Sequence, residues 1–182
     1  DLFKPVGRSL SLLAAFFSLA GCASAAVTFV FRLGPLVVLG GGPHSSVFSP
    51  EQLQALALTF LRASRQGGSI SFTFFGLHCL LVGCLILRST FLPRIVGALM
   101  VGAGLGWLTQ SFANLLSPAL GPSLSPYTTA AGALGELTLT VWLLAMGVNV
   151  ERWKQQASAA AEWRSDRAVQ ASLQSARIKV KS

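Results

Sequence analysis

The sequence predicts an all-α protein, a polytopic transmembrane helical bundle with four membrane spans. Of its 182 residues, 52% are hydrophobic and only 11% are charged, whereas soluble domains carry about 25% charged residues. The mean hydropathy is +0.62. Between Ile95 and Val148 the only charged side chain is Glu136. A lipid bilayer accepts such a stretch and a water-exposed surface does not, so we exclude a soluble globular protein.

The first predicted span covers residues 9–31. These 23 residues carry no charge, and as a helix they reach about 34 Å, which is enough to cross a hydrocarbon core about 30 Å thick. The apolar pattern continues past Arg32, but the pair Gly34-Pro35 predicts a kink near the membrane interface. The glycine-rich residues 40–44 predict a loop.

A second helix is predicted to begin at Ser49. Ser49 can cap the helix, Pro50 suits its first position, and Gln52 can complete a capping box. The apolar stripe that follows covers residues 50–66, which is too short to cross the membrane comfortably. We expect an interfacial helix, or a lead-in to the next span, that ends at Gly67.

Three further spans are predicted over residues 70–87, 95–116 and 127–148. The first two are joined by the short segment 88–94, so they return antiparallel beside each other. The last two are separated by residues 117–126, which contain three prolines and no charge and predict a loop.

The chain divides into a transmembrane helical domain, residues 1–149, and a basic tail, residues 150–182, which we expect to be solvated and only partly helical. Basic residues flank the start of the chain and the segment 88–94, and seven more lie in the tail, whereas residues 117–126 have none. The positive-inside rule therefore predicts a multi-pass protein of the cell membrane with both ends of this chain in the cytoplasm. The tail's seven basic residues alternate with three acidic ones, which favours an anionic membrane surface over nucleic acid as its partner.

Two segments resemble a known family: Arg88-Ser-Thr-Phe-Leu-Pro-Arg-Ile-Val-Gly97 and Gly135-Glu-Leu-Thr-Leu-Thr-Val-Trp-Leu-Leu144. The chain is similar, over about residues 1–150, to the bacterial membrane family catalogued as domain of unknown function 4386. The resemblance implies that this is the later part of the domain, with about two more spans upstream and six in total. The family has no established activity. Its members often carry an Arg and a Glu where this chain has Ser18 and Cys22, so any polar role of the first span is absent or changed here.

Glu136 is the sharpest candidate for a functional residue. A carboxylate well inside a span costs on the order of 3 kcal/mol on insertion scales unless it is neutral or paired. Two interpretations follow: a proton-linked or ligand-binding group, or a neutral or paired helix-packing glutamate, which we favour. Its candidate partners in an intramembrane polar site are His78, Gln110, Asn114 and Arg32, although hydrogen bonds between helices and a snorkelling arginine explain these residues as well.

Small residues predict where the helices approach each other closely. Gly102 and Gly106 have the four-residue spacing of a helix-packing motif, and we expect both to contact a neighbouring helix. On a helical wheel Gly132, Thr129 and Thr140 fall on the same side as Glu136, which predicts a small and polar packing face on the last span.

The sequence contains no phosphate-binding loop, nucleophile elbow, pair of carboxylates or metal-binding pattern, so we expect no enzyme, no cofactor and no metal. We predict a structural or accessory subunit that lies in the lipid bilayer and packs against partner helices or in a homo-oligomer. The alternative is a small transporter or channel-like protein in which Glu136 and His78 line a polar path.

Overall fold

A computed structural model describes residues 2–41, 47–117 and 120–181, without the side chains of residue 172 and of residues 174–181. This part of the chain folds into five helices and no strand: α1 (Arg8–Leu39), α2 (Pro50–Arg88), α3 (Arg94–Leu116), α4 (Leu120–Ala145) and α5 (Val150–Lys181). Helices α1 to α4 are each long and apolar enough to cross a membrane. The predicted all-α fold and its four spans are confirmed.

Helix α1 is longer than the predicted span 9–31. It continues as α-helix through Gly34 and Pro35 to Leu39. Gly34 lies against the ring of Phe60 on α2, and a Cβ at Gly34 would lie 2.5 Å from that ring. Gly34, which we expected to disturb the helix together with Pro35, is therefore part of a helix–helix contact. Most of the predicted loop over residues 40–44 lies outside the described residues.

Helix α2 begins as predicted, because Ser49 and Gln52 form the complete capping box. The expected break at Gly67 is wrong, since one helix of 39 residues replaces the separate segments 50–66 and 70–87. Gly67 faces α1, where a Cβ would lie 2.7 Å from Thr28 Oγ1. In an apolar environment an interrupted helix leaves backbone groups without partners, so glycines that give close contacts do not end the helix.

Helix α3 matches the predicted span 95–116 to within one residue, and α4 does not match 127–148. Helix α4 begins at Leu120 and ends at Ala145, so it includes most of the predicted loop 117–126. Pro122 stands in its first turn, where a backbone N–H has no helical acceptor and proline is tolerated. Residues 118 and 119 lie outside the described part.

Helix α5 corrects our expectation of a tail with broken helix. Its start is capped by Asn149, whose Oδ1 accepts a hydrogen bond from the N–H of Arg152 at 3.0 Å. Residues 150–182 contain neither glycine nor proline and are rich in alanine, glutamine and arginine. These residues have high helix propensity, which explains a continuous helix outside the apolar part of the protein.

Extensive helix–helix contacts join helices that follow each other in the chain: α1 with α2, α2 with α3, and α3 with α4. The α2–α3 contact repeats every seven residues with a small residue on each side. The three pairs are Ser69 with Ser111, Gly76 with Gly104, and Gly83 with Gly97. The residue numbers rise along α2 while those of their partners on α3 fall, so the two helices are antiparallel. A seven-residue repeat of small residues lets the two backbones approach along their whole length.

The apolar core of the protein lies at one end of the helical bundle, the end that contains the turn between α2 and α3. Buried apolar side chains from α1, α2 and α3 pack there with the chain's first residues and the end of α4. Asn149 donates its N–H to the carbonyl oxygen of Phe91 at 3.3 Å, and Trp153 Nε1 donates to the carbonyl oxygen of Leu2 at 2.9 Å. The first residues of the chain, the α2–α3 turn and the start of α5 therefore share one end of the bundle.

Candidate functional site

Glu136 lies about one turn from the middle of α4 and reaches across α3 towards α2. Its Oε1 accepts a hydrogen bond from Trp107 Nε1 at 2.8 Å and a longer one from Cys79 Sγ at 3.6 Å. Its Oε2 accepts none from any residue that the structure describes. The residue remains exposed in spite of these two contacts. Oε1 therefore accepts hydrogen bonds within the chain, and Oε2 is available to accept a hydrogen bond from another molecule.

His78 does not join this site. Its Nδ1 donates to the carbonyl oxygen of Ala14 on α1 at 2.9 Å, which places the ring hydrogen on Nδ1 because a carbonyl only accepts. Cys79, the next residue, points to the side that Glu136 reaches. Trp107 and Cys79 are therefore the partners of Glu136, in place of the predicted His78 or Gln110.

Gln110 is buried between α3 and α4 and belongs to a local hydrogen-bond network. Its Nε2 donates to Asn114 Oδ1 and to the carbonyl oxygen of Gly121, both at 3.1 Å. Its Oε1 accepts from Thr128 Oγ1 at 2.5 Å. These bonds join the end of α3 to the start of α4, and Thr128 and Gly121 lie about two and about four turns before Glu136 on α4.

Arg32 lines a cavity of about 620 Å³ between α1, α2, α3 and α4. Arg65, Gln110 and Asn114 line the same cavity, and Phe72 forms part of its wall. Phe72 stacks on Trp107 with 4.8 Å between ring centroids, so the cavity and the Glu136 site share one aromatic wall. Among the described residues Arg32 contacts no acidic side chain, and it is not the partner of Glu136.

The predicted packing glycines separate into two groups. A Cβ at Gly106 would lie 3.1 Å from the carbonyl oxygen of Thr128, and one at Gly132 would lie 2.5 Å from the ring of Trp107. Both glycines therefore face the α3–α4 contact. Gly102 is exposed, and a Cβ there would meet no atom of the described residues within 4 Å. The expectation that Gly102 packs within this chain is wrong, because it lies on the outer side of α3.

Trp107 is the residue of this site that the sequence analysis missed. A usable signal was present, because Trp107, Gln110 and Asn114 are spaced by three and four residues and so lie on one side of α3. That spacing places an indole N–H on the side of the helix that carries the polar residues. An indole N–H within a membrane span needs an acceptor, and Glu136 is the only acidic side chain within the apolar spans other than Glu51 at the start of α2.

A family model described as a domain of unknown function (DUF4386) matches residues 1–147. The chain belongs to the DUF4386 family. No curated protein and no solved structure matches the chain. The DUF4386 match includes α1 to α4, Glu136 and the cavity, and it ends before α5 begins. It confirms the resemblance carried by residues 88–97 and 135–144.

Proposed function

We propose that this DUF4386 chain is a non-enzymatic membrane subunit that packs against a partner helix along α4. The observation that supports the proposal is the unpaired Oε2 of Glu136, exposed near the middle of a membrane span. A carboxyl group that faces lipid at this depth costs on the order of 3 kcal/mol. A partner helix that donates an N–H or O–H to Oε2 removes this cost and gains a hydrogen bond within the apolar layer.

The side of α4 around Glu136 suits close contact with another helix. Thr129, Ala133, Glu136 and Thr140 are spaced by four, three and four residues, so they form one stripe along the helix. The two threonines are exposed and Ala133 is half-buried. Small side chains on both sides of a polar group let a second backbone approach and place a donor at the carboxylate.

The transporter alternative needs a polar path that includes both Glu136 and His78. The hydrogen bonds direct these two residues to different neighbours, Glu136 to Trp107 on α3 and His78 to Ala14 on α1. The packing role needs only Glu136 and its stripe, and we therefore propose it as the function.

Thiol cross-linking in native membranes tests the proposal. Cys22, Cys79 and Cys84 are first replaced by alanine, and single cysteines are then placed at Ala133 or Thr140 on the stripe. We expect a membrane-permeable bifunctional maleimide to give cross-linked products from both positions. An adduct of twice the 19.1 kDa chain mass identifies a second copy, and any other mass identifies a different subunit.

Leu134 and Val141 provide matched controls, because both are exposed and lie on the opposite edge of α4. We expect no product from cysteines at these two positions. In the Ala133→Cys background Glu136→Gln should reduce the product, because its one oxygen accepts from Trp107 and its Nε2 donates where Oε2 accepted, and Glu136→Leu should lose the product. Equal products from stripe and control positions would mean random collision in the membrane and would refute the proposal.

The proposed orientation places the chain's first residues, the α2–α3 turn and α5 in the cytoplasm, and the start of α4 outside. Single cysteines at Ser158 and Ser123, both exposed, report on the two sides. In intact cells an impermeant maleimide should label Ser123→Cys and not Ser158→Cys, and after detergent lysis it should label both. Labelling of both, or of Ser158→Cys alone, in intact cells would contradict this orientation. Ser89, in the α2–α3 turn, is unsuitable because it is 6% exposed.

A further inference from the structure

We infer that the cavity between α1 and α4 binds an anionic amphiphile, a molecule with a phosphate or carboxylate head and an apolar chain. Arg32 and Arg65 hold the acidic head, and the chain lies against Phe72 and Phe75. This inference goes beyond the packing role proposed above, because it uses a different part of the molecule and does not depend on Glu136.

The charges of the cavity favour an anion. Arg32 and Arg65 both line it, and no Asp or Glu is among the described residues of its wall. Neither arginine forms an ion pair with any residue that the structure describes. Two guanidinium groups beside one cavity repel each other, and a bound anion would relieve this repulsion and accept their hydrogen bonds.

The depth of the arginines matches that of a lipid head group. The Gly76–Gly104 contact lies next to the middle of α3, and Phe75 adjoins it. Arg65 precedes Phe75 by ten residues, so it lies about 15 Å from the middle of the bundle, which is half of a hydrocarbon layer about 30 Å thick. Arg32 is at the same end, because Thr28, one turn before it, accepts a hydrogen bond from Ser64 at 3.4 Å. Arg32 and Arg65 therefore lie at the boundary between the acyl chains and the lipid head groups.

The remaining wall of the cavity is amphipathic. Asn114 adds an amide group at the level of Arg65, and its Oδ1 accepts from Gln110, which leaves its amide N–H groups for a ligand. Further towards the middle of the membrane the wall is formed by Phe72 and Phe75. A volume of about 620 Å³ is within the range of small-molecule sites. This order of cations, amides and then aromatic rings fits a charged head followed by an apolar chain.

The same interpretation explains an exception to the topology rule. In the proposed orientation Arg32, Arg62 and Arg65 lie at the end of the bundle outside the cytoplasm, where basic residues are less frequent. An anion-binding site would explain why Arg32 and Arg65 lie at this end of the bundle. Arg62 does not line the cavity, and it therefore serves as the control for the other two.

The experiment uses the full chain purified in an uncharged detergent and native mass spectrometry to count bound molecules. The probes are phosphatidylglycerol, oleate, phosphatidylcholine and inorganic phosphate. We expect one molecule of phosphatidylglycerol or oleate to stay bound, and phosphatidylcholine to bind at least about tenfold more weakly, because it lacks a net charge for the arginines. Stronger retention of phosphatidylglycerol assigns the head to a phospholipid, and stronger retention of oleate assigns it to a fatty acid.

Two kinds of variant test the site itself. Arg32→Gln with Arg65→Gln should weaken retention of the anionic probe by about tenfold or more, since charge-assisted hydrogen bonds are lost, and Arg62→Gln should leave it unchanged. Gly68→Leu should weaken retention by about tenfold or more, because the added side chain projects into the cavity. Gly68 lines the cavity, and a Cβ there would meet no atom within 4 Å among the residues that the structure describes, so this variant is expected to fold. Gly102→Leu, equally free of contacts but on the outer side of α3, should bind as the parent chain does.

Three outcomes would overturn the inference. Equal retention of phosphatidylcholine and phosphatidylglycerol would show that the charge is not recognised. Displacement of the lipid by inorganic phosphate at equal concentration would show an anion site that does not recognise an apolar chain. Unchanged retention in a folded Gly68→Leu protein would show that the lipid binds on the outer surface. Each result leaves the cross-linking along α4 unaffected, so the packing role stands or falls separately.

Discussion

Replacing Gly104 by leucine should separate α2 from α3 and lower the free energy of unfolding by about 3 kcal/mol, the upper end of the usual cost of overpacking. A Cβ at Gly104 would lie 2.8 Å from the carbonyl oxygen of Gly76 and 2.8 Å from the backbone nitrogen of Leu80. Both atoms belong to the backbone of α2, so no change of side-chain rotamer relieves the clash. In a bilayer close packing is a main source of helix association, which makes the loss of this contact large.

Gly102→Leu is the matched control for Gly104→Leu. It introduces the same side chain two residues away, where a Cβ meets no atom within 4 Å in the described part of the chain, so stability should stay within about 0.5 kcal/mol of the parent. Equilibrium unfolding of the purified chain in mixed detergent and dodecyl sulfate micelles measures the difference. If both variants lost the same amount of stability, the close backbone contact between α2 and α3 would not be what holds these helices together.

This pair of variants also shows what the spacing of glycines predicts from sequence. Two glycines four residues apart differ by about 40° around a helix, and the spacing alone does not say which neighbour each one faces. A Cβ at Gly106 would meet α4, whereas one at Gly102 would meet no atom of the described residues within 4 Å. The seven-residue repeat of Ser69, Gly76 and Gly83 was a stronger signal. A partner repeat of the same period follows on α3, and two such repeats in consecutive spans predict an antiparallel contact.

The spans were predictable because a helix must be apolar over about 20 residues to cross a bilayer. The ends of α1 and α4 and the continuity of α2 were not, because the rules that treat glycine and proline as helix breakers come from chains in water. In water an open backbone group binds solvent, whereas in lipid it has no partner unless the helix continues. Gly67 and Pro126 both lie inside helices here, as expected for residues within spans that cross an apolar layer.

The candidate site was predicted in part for a similar reason. Glu136 could be recognised as a candidate from the sequence, because it is the only charged residue between Ile95 and Val148. Its partners depend on the direction in which each side chain leaves its helix. His78 and Cys79 have nearly the same depth and differ by about 100° in direction. The depth of His78 in the membrane suggested it as a partner of Glu136. Cys79 is the actual partner, because its side chain points from α2 towards Glu136. The sequence of a single apolar span does not determine which side of its helix faces each neighbouring helix. The partners of Glu136 could therefore be identified only from the structure.

Replacing Gly135 by alanine should loosen α4 from α3 and lower the free energy of unfolding by about 2 kcal/mol, because a single added methyl group overpacks a backbone contact. Its Cβ would lie 2.6 Å from the carbonyl oxygen of Leu99 and 2.7 Å from the Cβ of Ala103. The movement also affects the neighbouring Glu136, which should lose its hydrogen bond from Trp107. The fluorescence of a chain whose only tryptophan is Trp107 should report this loss as a change in emission wavelength.

Gly132→Ala is the informative comparison, because its Cβ would meet the Trp107 side chain instead of backbone. We expect Trp107→Leu to reduce the cost of Gly132→Ala and to leave the cost of Gly135→Ala unchanged. A double-mutant cycle measured by equilibrium unfolding gives the two coupling energies, and contacting residues usually differ from additivity by more than about 0.5 kcal/mol. Equal coupling of Trp107 to both glycines would mean that the ring, and not the Leu99 carbonyl, limits how closely α4 approaches. The position of Glu136 over α3 would then depend on one side chain, whereas the structure makes it depend on the distance between two backbones.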